Sequence, residues 1–297
     1  MGITDSIINY RRYLKRRNCS AHSVKSYMAM LKQFVAWLDV PLEQAERRKL
    51  GDYVEFLQSR QLKAKTINCH LVCIRGFYDY LYHEEGIPIA NPVRKGYSLR
   101  VPRPLPRFLK DEEVYKLFSV IKTLRDRALF MLMLRCGLRV EEVARLTIPA
   151  IDLKRKRIFV HQGKGGKDRV VYISSDAHDA LGAYLRARPA TASRQVFLVG
   201  KGVCKGKPIS VRGIQKRIEY YAKKAGLHAS CHQLRHTMAT QLLNADTELS
   251  TIQDLLGHRW ITTTQRYCRI CNLKVQRDYY KAMEVVVQRT ASVSTRE

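Results

Sequence analysis

The chain has 297 residues, 45% of them apolar, and carries 54 Lys+Arg against 26 Asp+Glu, a formal net charge of +28. That length predicts two domains with sizeable cores and excludes a mainly disordered chain, while so large a cationic excess calls for a polyanionic partner. The longest apolar run, Ala128 to Leu134, falls far short of the ~20 residues that cross a bilayer. Neither a secretory leader nor a dense disulfide framework is evident among the eight scattered cysteines, so a cytoplasmic protein with reduced thiols and no membrane partner is expected.

Residues 1–87 read as a helical domain of about four helices. Segments near Ile7 to Leu14 and Tyr53 to Leu57 are helical, and Ser20 caps a helix whose apolar residues Val24, Tyr27, Met28, Leu31, Phe34, Val35 and Leu38 follow helical spacing. Ile67, Leu71, Ile74, Phe77, Tyr78 and Leu81 form a second stripe. Five of the nine prolines then fall between Pro88 and Pro106 among several arginines, which predicts an extended basic linker over 88–108.

The second domain, 109–289, opens with helical patterns around Val114 to Ile121 and Arg125 to Arg135. Arg157 to Gln162 and Arg169 to Ile173 flank the loop Gly163-Lys-Gly-Gly-Lys167 and predict a β-hairpin. Helices are expected at 176–187, 210–225, 232–244, 249–256 and 272–286, with a short strand at Gln195 to Val199 and a polar tail over 290–297. The fold class is thus mostly α with a small β-sheet (α+β). Residues 1–87 hold 14 Lys+Arg and 9 Asp+Glu, a net of +5, which leaves +23 for the linker and second domain.

The second domain also holds every residue type that metal-free strand cleavage requires. Arg139 lies in Gly137-Leu-Arg-Val-Glu-Glu-Val143, Lys164 in the hairpin loop, His232 and Arg235 in His-Gln-Leu-Arg-His236, His258 after Leu-Leu-Gly, and Tyr267 nine residues later. His232 and Arg235 are i, i+3 on a predicted helix and share a face. Competing motifs fail on their own chemistry. His232 and His236 have zinc-protease spacing but Gln233 where a glutamate base is required, Cys69/Cys73 and Cys268/Cys271 lack a second ligand pair, and the Gly-rich loop lacks phosphate-loop spacing. No metal and no cofactor are expected.

This ordered set closely resembles the tyrosine recombinase (phage integrase) family, over nearly the whole chain. The resemblance implies a two-domain DNA clamp, with a core-binding domain (SAM-like) over 1–87 and a catalytic domain over 109–289. It implies Arg139, Lys164, His232, Arg235, His258 and Tyr267 as catalytic residues, with Glu142 supporting Arg139. The implied activity is site-specific DNA recombination through a 3′-phosphotyrosine intermediate without ATP, for integration, excision or resolution. Arg11, Arg12, Lys15, Arg16, Arg17, Lys25, Lys63, Lys65, the linker residues Arg100 and Arg103, and Arg212, Lys216 and Arg217 are candidate DNA contacts.

The implied partner is double-stranded DNA bearing a specific recombination site, engaged by a homotetramer alone or together with a related recombinase. Leu273, Val275, Tyr279, Tyr280, Met283, Val286 and Val287 form a terminal helix that in the family commonly packs into a neighbouring protomer. Because the chain begins almost directly with the core-binding helices, an Xer-like or transposon-associated simple recombinase is expected rather than one with an added arm-binding domain. A type IB topoisomerase and a non-catalytic architectural DNA-binding protein are the alternatives.

Overall fold

A computed structural model describes residues 3–102, 107–161, 168–257, 261–268, 278–285 and 287. The chain divides into two compact units, Met1–Arg103 and Pro104–Glu297. No helix among the described residues is long and apolar enough to cross a membrane.

Four helices build the first unit: α1 (Ile3–Arg16), α2 (Ala21–Trp37), α3 (Arg47–Ser59) and α4 (Ala64–His83). α2 starts where the Ser20 hydroxyl accepts from the Ser23 amide at 3.0 Å, which satisfies one of the orphan donors of a helix N-terminus. α4 lies at the centre. Its stripe Ile67, Leu71, Ile74, Phe77, Tyr78 and Leu81 is buried, and α1, α2 and α3 all pack against it. The polar atoms this core encloses are paired: Tyr78 donates to the Leu42 carbonyl at 3.0 Å, and Tyr53 and His70 share a hydrogen bond of 3.0 Å. Cys73 is buried here, donates to the Tyr27 carbonyl, and has its thiol pushed up to about 12 by burial.

The stretch predicted as a linker has no helix or strand over 86–102, but part of it belongs to the first unit. Ile89 and Val93 are buried in its core, and the Asn68 side chain donates to the Leu99 carbonyl at 2.9 Å and accepts from its amide at 2.8 Å. Apolar residues among the prolines anchor a segment whose composition alone suggests a free tether.

The second unit runs α5 (Asp111–Ser119), α6 (Leu124–Arg135), α7 (Val140–Arg145), β1 (Ile151–Asp152), β2 (Arg157–Val160), β3 (Arg169–Tyr172), α8 (Ser175–Ala187), α9 (Val211–Lys224), α10 (Cys231–Asn244), α11 (Leu249–Leu256) and α12 (Ile261–Cys268). Ala128 to Leu134 are all buried, so α6 is an interior helix, with α8 and α10 packed against it. The hairpin is present as an antiparallel pair with Ile158 opposite Val171 and Val160 opposite Arg169, and β1 adds a third strand in the order β1-β2-β3. A strand at Gln195 to Val199 does not form. Val196, Phe197 and Leu198 are buried, yet their backbone makes only isolated bridges, Thr147 with Gln195 and Leu198 with Pro208. Residues 278–285 are helical; the rest of the helix expected over 272–286, and the tail from 290, lie outside the described residues.

One buried charge organises the far side of α6. Asp126 is fully buried and accepts from Arg125 Nε at 2.8 Å, Arg217 Nε at 2.8 Å and the Tyr221 hydroxyl at 2.9 Å. Burial alone raises its pKa, but the two guanidiniums outweigh burial and hold the carboxyl below its usual value. Asp126→Ala leaves both arginines without their anion and is expected to destabilise the unit by about 3 kcal/mol, the low end for a broken buried pair, because both guanidiniums keep some water contact. Urea melts of the two proteins measure this, and matching midpoints would contradict it.

Candidate active site

The site is assembled at the ends of short elements. After α6 the chain turns at Gly137, whose φ of +63° favours glycine and where a Cβ would lie 2.6 Å from Met238 Sδ. The turn delivers Arg139 to the N-cap position of α7. Glu142, three residues on, accepts from the Arg139 backbone amide at 2.7 Å and from Arg139 Nη1 at 2.9 Å, so one carboxylate caps the helix and grips the capping residue's own guanidinium.

Arg169, at the start of β3, reaches the same carboxylate from the other side. Its Nη1 and Nη2 donate to Oε1 and Oε2 of Glu142, both at 2.8 Å, and its Nε donates to the Leu255 carbonyl at 3.0 Å. Arg235, 2% exposed, donates to the carbonyls of Gly137 and Leu256. Arg139 Nη2 donates to the Gly257 carbonyl at 3.2 Å. The three consecutive carbonyls that end α11 are therefore each held by a different arginine. Helix C-termini leave such carbonyls unpartnered and partially negative, so guanidiniums are suited to them. Gly257 closes α11 in the left-handed conformation, φ +59°, and a Cβ there would lie 2.9 Å from Arg169 Cδ.

The electrostatics follow from this packing. Burial alone raises the Glu142 pKa, but the hydrogen bonds and charge of Arg169, with the Arg139 amide and guanidinium, reverse that and lower it to about 2. His232 is exposed in the first turn of α10 and Arg235 is buried one turn later. Ser230 caps that helix by accepting from the Gln233 amide, and the His232 and His236 rings lie 4.0 Å apart between centroids. The backbone of Tyr267 lies in the last turn of α12, which packs against α10 and α11. The Tyr267 side chain, Lys164 and His258 lie outside the described residues. Among the described residues no three His, Cys, Asp or Glu side chains converge as metal ligands.

Of the candidate DNA contacts, Arg11, Arg12, Lys15 and Arg16 are exposed on α1, Arg17 in the turn after it, Lys25 on α2, Lys63 and Lys65 at the start of α4, and Arg100 beyond it. Arg103 lies outside the described residues. Arg212 and Lys216 are exposed on α9, whereas Arg217 directs its guanidinium to Asp126 and Tyr221 within the unit. Arg169 belongs to none of the sequence motifs that mark the site. Its signal is the alternation of β3: Arg169 shares the inward face with buried Val171, and an arginine in that register needs a buried anion.

Comparison with known proteins matches residues 107–272 to the phage integrase family and residues 7–85 to the phage integrase N-terminal SAM-like domain. The chain belongs to the tyrosine recombinases of the phage integrase family. It is 32% identical over 277 residues to tyrosine recombinase XerC of Staphylococcus haemolyticus, covering 90% of this chain and 92% of the relative. Tyrosine recombinase XerA of Pyrococcus horikoshii is 29% identical over 283 residues, 94% of either chain. A lambda integrase dimer bound to a COC′ core site shares the fold, with a TM-score of 0.73, 17% identity and coverage of 90% of this chain and 95% of that one. As a tyrosine recombinase, the protein cleaves and rejoins DNA at specific sites.

The depressed pKa of Glu142 gives this recombinase a pH signature. A folded-state value of about 2 against the usual 4.5 makes the charge stabilising by on the order of 3 kcal/mol, fully present above pH 4.5 and lost as pH falls toward 2. The stability gap between the wild type and Glu142→Gln is expected to narrow over that range in urea melts, and a gap independent of pH would contradict the pairing.

Proposed function

We propose that the Tyr267 hydroxyl is the nucleophile, attacking one phosphodiester of each bound site to form a 3′-phosphotyrosine and release a 5′-hydroxyl. A 5′-hydroxyl of the partner strand then attacks that phosphotyrosine, restoring the DNA backbone and the free phenol. The number of phosphoester bonds is unchanged, so no nucleotide hydrolysis is needed. Arg139 and Arg235 present guanidinium donors to the non-bridging oxygens, where negative charge develops in the transition state. The phenol, with a usual pKa of ~10, loses its proton to His232. Lys164 protonates the leaving 5′-oxygen, and His258 adds a hydrogen bond to the phosphate.

The observation that carries this reading is the arginine cluster. Two arginines in the family's order are held beside each other by backbone carbonyls and one carboxylate, and both α10, which carries Arg235, and α11, whose end both arginines hold, pack against the helix bearing Tyr267. Fixed cations of this kind supply the charge stabilisation that many nucleases draw from a metal ion.

Exposed cations on α1, α2 and α4 neutralise backbone phosphates, and exposed Arg212 and Lys216 do so from the second unit. The working assembly is a tetramer on two DNA sites. Tyr279, Tyr280, Val285 and Val287 are exposed on the terminal segment, which is the state expected of a helix that docks on a neighbouring protomer. A nicked suicide substrate carrying the recombination site tests the chemistry: a covalent protein–DNA adduct is expected on a denaturing gel for the wild type and absent for Tyr267→Phe. An adduct that survives in Tyr267→Phe would overturn the assignment.

A further inference from the structure

Arg169 holds three acceptors on two other elements of the unit. From β3 it takes both oxygens of Glu142 on α7 and the Leu255 carbonyl near the end of α11. All three of its nitrogens donate to protein acceptors and its side chain is only 10% exposed, so it is turned away from solvent. It nevertheless adjoins Arg139 through a shared partner, since Glu142 Oε1 accepts from both guanidiniums. The second grip on Arg139, the Gly257 carbonyl, sits two residues beyond the carbonyl that Arg169 holds.

We propose that Arg169 is a positioning residue of the recombination site, fixing the Arg139 guanidinium by holding both groups that orient it, the Glu142 carboxylate and the end of α11. The proposal rests on the reading of Arg139 as a phosphate-binding group. Its physical basis is the planar guanidinium fork. Two parallel bonds to a carboxylate fix the plane of that carboxylate, and the third donor fixes how far α11 lies from it. A lysine keeps the charge but offers one nitrogen, which cannot span both Glu142 oxygens and the Leu255 carbonyl in a single geometry. The packing is specific to this side chain as well, because Gly257 leaves room for the Arg169 stem that a Cβ would remove.

If Arg169 acts through Arg139, its loss matters only while Arg139 is present to be positioned. Single-turnover cleavage of a suicide substrate tests this with Arg169→Lys, Arg139→Ala and the double variant, alongside melting curves and gel-shift affinities. Arg169→Lys is expected to keep a cooperative melt and wild-type DNA affinity yet slow cleavage about 10- to 100-fold, as sub-ångström misplacement of a charge-stabilising group does. The double variant is expected to cleave no more slowly than Arg139→Ala alone. On DNA whose scissile phosphate is a neutral methylphosphonate, the deficits of Arg169→Lys and Arg139→Ala are expected to shrink together, which a loss of general stability would not produce.

Should Arg169→Lys fail to fold, Arg169→Gln, which keeps a donor for the Leu255 carbonyl, replaces it. Losses that multiply in the double variant, or wild-type cleavage by Arg169→Lys, overturn the proposal while leaving the role of Arg139 intact. Failure of both Arg169 variants to fold also overturns it in favour of a purely structural residue. Wild-type cleavage by Arg139→Ala would instead refute the reading of the site on which the proposal rests.

Discussion

Glu142 places one buried carboxylate between the guanidiniums of Arg139 and Arg169, and the geometry of the site depends on that charge being both tolerated and shared. An isolated carboxylate in this position would be costly to desolvate and would take up a proton instead. Here it has a backbone amide and two cations, and its pKa falls rather than rises. The anion in turn fixes the two cations. An arginine on a surface loop samples many rotamers, whereas Arg139 is held at Glu142 and at Gly257.

The same logic explains the crowding of arginines at the end of α11. Three guanidiniums close together repel one another, and a single carboxylate does not neutralise them. The carbonyls of Leu255, Leu256 and Gly257 at the C-terminal end of α11 supply the remaining negative potential, each bonded to a different arginine. The net positive charge that remains is what a DNA phosphate would complete. Binding and transition-state stabilisation can then draw on cations whose orientation has been set by folding rather than by the substrate.

Much of this architecture is legible in the sequence, for reasons that differ by element. The helices of the first unit are long, and their stripes, such as Ile67 to Leu81 on α4, are regular enough to read directly. The hairpin declares itself by two β-rich runs around a glycine loop. α7 has only six residues and β1 two, too short for any periodicity, and Val196 to Leu198 is an apolar run whose burial does not need a strand. Arg139, His232, Arg235 and Glu142 are legible through their order and spacing. Arg169 and Gly257 are not, because their roles depend on β3 and α11 meeting across 86 residues of chain, and no local pattern encodes that contact. An inward-facing arginine on a half-buried strand is the trace that such a contact leaves.

The overall charge of +28 acquires a division of labour from this arrangement. Exposed cations on both units are free to meet a duplex, while Arg125, Arg169, Arg217 and Arg235 are turned inward to carboxylates or carbonyls. Folding orients Arg139 and Arg235, the arginines proposed to bind the phosphate, before DNA arrives. A crystal structure of the protein on its site DNA, with orthovanadate bridging Tyr267 and a nicked strand as a transition-state mimic, tests this most directly. The account predicts that Arg139 and Arg235 meet the equatorial vanadate oxygens while Arg139 keeps its bond to Glu142 and Arg169 its two; an Arg139 that has left Glu142 to reach the vanadate would contradict it.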